Sequence, residues 1–184
     1  MSPDQMTFPV QSYRLIPLEC ARAEELADYQ QRNRERFRPF SPARTDIFYT
    51  TSYWKSVRRR SARERRQETA LRWVLVDEQQ VIAQISMDQI VRGAFQSAVL
   101  GYALDGSFEG QGLMTQSLQS VIDFSFRTLN LHRLSANHIP ENERSARVLA
   151  RLGFEREGLA KSYLRLNGVW CDHVLNSLLN PRHR

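Results

Sequence analysis

The chain changes its period midway, and that change narrows the folds open to it. SAVLGYAL, ending at Leu104, reads as a strand in a run of short-linked strands. From Leu113 onward apolar residues recur at helical spacing, at Leu113, Leu118, Val121, Ile122 and Phe126. Between the two stands DGSFEGQG, with Gly110 and Gly112 just ahead of the helix. A helix that starts in this way offers unpaired backbone N–H groups and the positive end of its dipole, so it attracts phosphate. Glycines let the backbone approach such an anion closely. Taken alone, the turn is equally a tight β-to-α connection without a ligand. It has neither the glycine spacing of the dinucleotide fingerprint nor the Lys-Ser/Thr of a P-loop. Hydride transfer and nucleotide hydrolysis therefore lose support.

Around this turn the chain reads as a mixed sheet with helices. Residues 1–11 look like a loose lead-in to a single domain spanning 1–184. Tyr13 to Leu18 alternates as a strand near an edge, because Pro17 cannot donate to a ladder. Ala21 to Asn33 is helical, with acids in its early turns. Arg34 to Tyr49 keeps no period and carries four aromatics, as loops bordering a cleft often do. A second helix runs from about Thr51 to Glu68. Leu71–Asp77, Val81–Ile90 and Ser97–Leu104 form a meander with short links. After the Leu113 helix come a strand at His132–Asn137 and a helix at Glu143–Leu152, stopped by Gly153. Ser162–Leu166 and Trp170–Leu178 flank Asn167-Gly168, a strong hairpin signal.

Composition excludes more than it assigns. Cys20 and Cys171 form no CxxC pair and sit in no His/Cys cluster, so a metal centre is not expected and both read as inert, at least half-buried thiols. The N-terminal segment has Asp4 and no basic run, and no stretch approaches the roughly 18 apolar residues a bilayer span needs. A soluble cytoplasmic protein with no membrane partner is the expectation. The formal net charge is +6. Much of it lies between Lys55 and Arg66, where Arg58, Arg59, Arg60, Arg63 and Arg65 accompany a single Glu64. This is either a solvated helix face or a patch that meets a ribonucleoprotein or an anionic coenzyme.

The turn, followed by Leu131-His132-Arg133 and by Asn142-Glu143-Arg144-Ser145-Ala146, resembles the GNAT N-acetyltransferase superfamily. The closing run RLGFEREGLAKSYLRLNGVWCDHVL is similar to the RimJ/RimL-type branch, the ribosomal-protein-alanine N-acetyltransferases. Val91 to Phe95 and Leu100-Gly101-Tyr102 look most like RimJ. The likeness is dense from about Val91 to Leu179 and thinner at Asn33 to Phe40. It implies an α/β (α+β) GNAT acyltransferase fold, with a mixed central sheet of about seven strands and helices on both faces. It implies acetyl-CoA as co-substrate and no metal.

The resemblance also implies roles. Tyr102, Ala103 and Leu104 would pair by backbone with the pantetheine arm. Gly110, Gln111, Gly112, Leu113, Met114 and Thr115 would cradle the pyrophosphate. Asn142 would hydrogen-bond the pantetheine, and Ser145 would be the catalytic residue beside the sulfur. Asn142 and Ser145 are equally apt as helix caps. Arg38 and Phe40, in the segment that borders the acceptor cleft in the family, would bind substrate. Two departures stand out. Glu109 and Met114 occupy positions where the superfamily usually has Gln or Arg and Gly or Ala, and a carboxylate beside phosphates is unfavourable unless it points away. Asn137 and Leu149 stand where some relatives keep a glutamate base and a tyrosine acid.

N-acetylation needs a neutral amine. With an α-amine pKa of about 7.7–8.0 and a lysine pKa of about 10.4, an enzyme lacking a strong base suits a peptide N-terminus better than a lysine. The leading expectation is transfer to the N-terminal alanine of a ribosomal protein. The alternatives are transfer to a small amine (polyamine, amino acid or antibiotic) and a non-catalytic coenzyme-binding module that docks on the ribosome through helix 55–66.

Overall fold

The computed structural model describes residues 1–78 and 80–183. Eight strands form one sheet: β1 (Phe8–Val10), β2 (Tyr13–Pro17), β3 (Leu71–Val76), β4 (Val81–Val91), β5 (Ser97–Leu104), β6 (Arg133–Ser135), β7 (Glu155–Leu166) and β8 (Val169–Leu179). Their order is β1-β2-β3-β4-β5-β6-β8-β7. Among the described residues only β5 and β6 pair in parallel, which the helical crossover between them permits. The helices are α1 (Ala23–Arg32), the short α2 (Arg34–Phe37), α3 (Thr51–Gln67), α4 (Leu113–Arg127) and α5 (Glu143–Arg151). Among the described residues no helix is long and apolar enough to cross a membrane.

The two faces of the sheet bury different helices, as the alternation in β3 dictates. Leu71, Trp73 and Leu75 enter the core beneath α4 and α5, while Val74 and Val76 pack with α1 and α3. Helices on both faces match the expectation, but the sheet has eight strands where about seven were expected. The difference is β1. Residues 1–11 are not a loose lead-in: Met6 is fully buried, its carbonyl accepts from Trp73 Nε1 at 3.0 Å, and Phe8 meets Phe124 edge to face. Burying a methionine contributes roughly 1.5–3 kcal/mol, enough to fix a segment with few apolar residues. The final hairpin also begins earlier than its periodicity suggested, at Glu155. Its turn is as read: Asn167 and Gly168 both have positive φ, and Leu166 pairs with Val169.

Helix α3 is capped by Thr50, whose hydroxyl accepts from Tyr53 N at 3.3 Å. It is not a uniformly solvated basic face. Arg65 is buried against Glu19 at 2.6 Å, and Arg58 donates to the Glu19 carbonyl. Lys55, Arg59, Arg63 and Arg66 remain on the exposed side. Cys20 is exposed rather than half-buried, and Cys171 is partly buried.

Candidate active site

Strands β5 and β6 run side by side from Ser97–Arg133 to Val99–Ser135, where β6 ends while β5 continues to Leu104. The C-terminal half of β5 therefore has an open edge. Asp105 N donates to Ile82 O, which makes Ala103–Gln84 and Gly101–Ser86 the hydrogen-bonded pairs with β4. By alternation, Tyr102 and Leu104 turn their backbone N–H and C=O groups toward the opening. Ala103 does not. Its polar groups face β4, and its carbonyl accepts from Tyr29 Oη at 2.9 Å, so the backbone of Ala103 is turned away from the open edge that its two neighbours present.

Past Leu104 the chain is anchored before it turns. The Asp105 carboxylate accepts from Arg32 Nε at 2.7 Å, Asn33 Nδ2 at 3.0 Å and Ser107 N at 3.0 Å. Burial alone would raise its pKa, but the bonds from Asn33 and Arg32 outweigh that and hold the carboxyl below its usual range. Gly110 and Gly112 then take left-handed φ of 77° and 74°, with open space where a Cβ would stand at Gly110. It is the backbone conformation that demands glycine here. Gln116 N bonds Gly112 O, so Leu113, Met114 and Thr115 carry N–H groups without helical partners. The Leu113 and Met114 side chains are buried in the core, which leaves only their backbone for an anion.

Glu109, the residue at odds with a phosphate site, is not a bare charge. Arg36 of α2 and Arg144 of α5 both pair with its Oε1, Arg144 at 3.4 Å. Two cations flank one carboxylate, so the rim of the turn is net positive. Arg36 came from no sequence signal: it lies 73 residues away from Glu109.

Across the opening, α5 begins at its cap Asn142, whose Oδ1 accepts from Ser145 N at 3.1 Å. Ser145 Oγ lies 2.7 Å from the Tyr102 hydroxyl. The largest influence on Tyr102 is burial, which pushes its pKa up to about 12 despite the bond to Ser145. The phenol thus stays protonated at neutral pH and can donate. Only a backbone role was expected of Tyr102; the fold brings its side-chain oxygen to Ser145. Asn137 Nδ2 donates to Tyr163 Oη at 3.2 Å, and Leu149 is buried in the core, so neither offers a base or an acid.

Arg38 and Phe40, expected together, line different hollows. Arg38 borders a cavity of about 570 Å³ on the α1/α3 face of β4 and β5. Phe40 borders a smaller one of about 220 Å³ beside Asn142 and Arg144. The Asn167 carboxamide donates to the Arg38 carbonyl, closing the hairpin tip over the larger cavity. Among the described residues no group of acidic, His and Cys side chains could hold a metal.

Comparisons with known proteins identify the fold. The acetyltransferase (GNAT) domain family matches residues 14–155. The chain is 38% identical over 161 residues to the [Ribosomal protein uS5]-alanine N-acetyltransferase of Escherichia coli, covering 86% of this chain and 83% of that protein. The crystal structure of ribosomal-protein-S5-alanine acetyltransferase from Vibrio fischeri superposes with a TM-score of 0.93 at 37% identity, covering 97% and 98% of the two chains. Mycobacterium smegmatis RimJ in complex with CoA-disulfide gives a TM-score of 0.87 at 29% identity, covering 92% and 83%.

Proposed function

The chain belongs to the GNAT acetyltransferase family, and from that premise we propose that it works as one cytoplasmic domain that acetylates the N-terminal α-amine of a ribosomal protein, alanine first. The relatives that carry this reading act on ribosomal protein S5 (uS5) by name. The observation that supports it most is the left-handed Gly110 and Gly112 turn, which opens α4 at the end of a strand with a free edge.

The residues fit acetyl-coenzyme A. Backbone N–H groups of residues 110–115 would hold the pyrophosphate, and Glu109 does not oppose this because Arg36 and Arg144 neutralise it. The edges of Tyr102 and Leu104 would receive the pantetheine, with Asn142 beside it. When bound, acetyl-coenzyme A supplies the acyl group as an activated thioester. Ser145 Oγ holds a proton for the departing sulfur, and Tyr102 Oη orients that hydroxyl. Neither Asn137 nor Leu149 supplies a base, so an acceptor that arrives as a largely neutral amine suits this site best. An α-amine meets that demand at roughly 3–4 kcal/mol less cost than lysine.

The exposed arginines of α3 extend the reading. Among the described residues Arg59, Arg63 and Arg66 have no acidic partner. They form the surface by which the enzyme would meet ribosomal RNA.

The test is the melting temperature with and without acetyl-coenzyme A. At about 100 times its dissociation constant a ligand adds about 2.7 kcal/mol, a rise of roughly 5–10 °C for a chain of this size. Absence of any rise in the unaltered protein would sink the reading. A rise that Gly112→Val abolishes would place the coenzyme at the turn, and transfer to an alanine-led peptide would then identify the acceptor.

A further inference from the structure

The cavity of about 570 Å³ has a floor of small and polar side chains and a wall of cations. Gln84, Ser86 and Ala103 form the floor, on the face of β5 next to the open edge at Tyr102 and Leu104. Gly101 keeps that face clear, since a Cβ there would stand 3.0 Å from Ser86 Oγ. Five arginines line the cavity against two carboxylates, Glu35 and Asp88.

These arginines differ in how fully they are compensated. Arg72 lies between Glu64 and Asp88, and Arg60 leans on Glu64 at 3.8 Å. Arg38 reaches Glu35 at 3.4 Å, an exposed pair. Arg34 stacks over the Tyr49 ring at 4.5 Å and touches the highly exposed Asp46, a pair of little energetic weight. Arg44 stacks over Phe48 at 4.5 Å and has no acidic partner among the described residues. A guanidinium centred over an aromatic ring is held by the cation–π contact and can still offer N–H donors to a carboxylate. Two such guanidinium groups therefore stand at the wall of a cavity whose floor adjoins the open edge of β5.

We propose that this cavity selects acceptors whose N-terminal amine is followed, within the first few residues, by aspartate or glutamate side chains, and that Arg44 and Arg34 bind those carboxylates. The proposal rests on the N-terminal acetyltransferase reading and names its substrate class. It turns away polyamines, whose several positive charges would meet uncompensated arginines. It requires no displaced ion pair at Arg44 and only a weak surface pair at Arg34.

The experiment compares two synthetic hexapeptides, Ala-Ser-Asp-Glu-Asp-Ser and its amide counterpart Ala-Ser-Asn-Gln-Asn-Ser. Binding is read by fluorescence anisotropy on C-terminally labelled peptides with coenzyme A present, and transfer by thiol release from acetyl-coenzyme A. The acidic peptide should bind and react with an advantage of about tenfold at low salt, mostly in KM, shrinking as salt rises. Arg44→Gln should cut that advantage to about two- to threefold, whereas Arg14→Gln, the same charge change at an exposed position of β2, should leave it intact. Equal binding of the two peptides, or equal loss from both arginine variants, would overturn the proposal and leave the N-terminal reading standing. If neither peptide is acetylated, the N-terminal reading falls, and the anisotropy alone then decides the charge preference.

Discussion

The Tyr102 hydroxyl and Ser145 Oγ, 2.7 Å apart, join the open edge of β5 to the first turn of α5. With its pKa raised to about 12 by burial, Tyr102 remains a donor across the working range. Tyr102→Phe should lower kcat about tenfold with a smaller change in the KM for coenzyme. Ser145→Ala should lower it further, and the double variant should be no worse than Ser145→Ala within about twofold, because the two act as one unit. All three should keep the rise in rate near the amine pKa of about 7.7–8.0. A rate–pH profile in which Tyr102→Phe removes that limb would contradict the assignment.

Glu109 is paired with Arg36 and Arg144 yet still subtracts charge from the proposed coenzyme site. Glu109→Gln should leave Arg36 and Arg144 free to face the coenzyme and tighten its binding about three- to tenfold. Arg36→Gln should weaken it by a similar factor. Titration calorimetry reads both. Weaker binding in Glu109→Gln would mean that the carboxylate is needed to hold the turn.

The anchor at Asp105 should give a pH-dependent stability. Its folded pKa lies below the unfolded value, so its contribution is present above about pH 4 and is lost as pH falls through the folded pKa. Asp105→Asn should cost about 1.5–3 kcal/mol at pH 7. The gap from the unaltered protein should narrow below pH 4 in urea titrations. A constant gap from pH 7 to pH 3 would show that charge is not what the site uses.

Two glycines with room around them should respond differently. Gly112→Ala meets only Gln116 Nε2 at 3.9 Å, but its φ of 74° should cost about 1–2 kcal/mol. Gly158 in β7 also has open space and no positive φ, so Gly158→Ala should be neutral or slightly stabilising. Thermal melts of the pair separate backbone strain from crowding.

Replacing Arg59, Arg63 and Arg66 of α3 together by Glu should abolish co-sedimentation with ribosomes at low salt while sparing transfer to a short peptide. Retained co-sedimentation would assign these arginines to solvent. Arg58 and Arg65 are unsuitable for this test, because they hold Glu19.

Most of the elements could be read from the chain itself, because each depends on preferences spread over a few neighbouring residues. The Gly110–Gly112 turn, the Asn167-Gly168 hairpin, the short-linked strands β3 to β5 and the helical spacing from Leu113 were all legible. So was the family likeness, since its motifs are local strings. What the tertiary structure decided were pairings between distant segments. It put Arg36 on Glu109, Tyr102 Oη on Ser145 Oγ, Arg65 on Glu19 and Met6 under Trp73. It also turned Ala103 toward β4 and separated Arg38 from Phe40. No local pattern encodes these outcomes. A charge reads the same in sequence whether it faces water or a partner, and only the packed sheet fixes which of the two it meets.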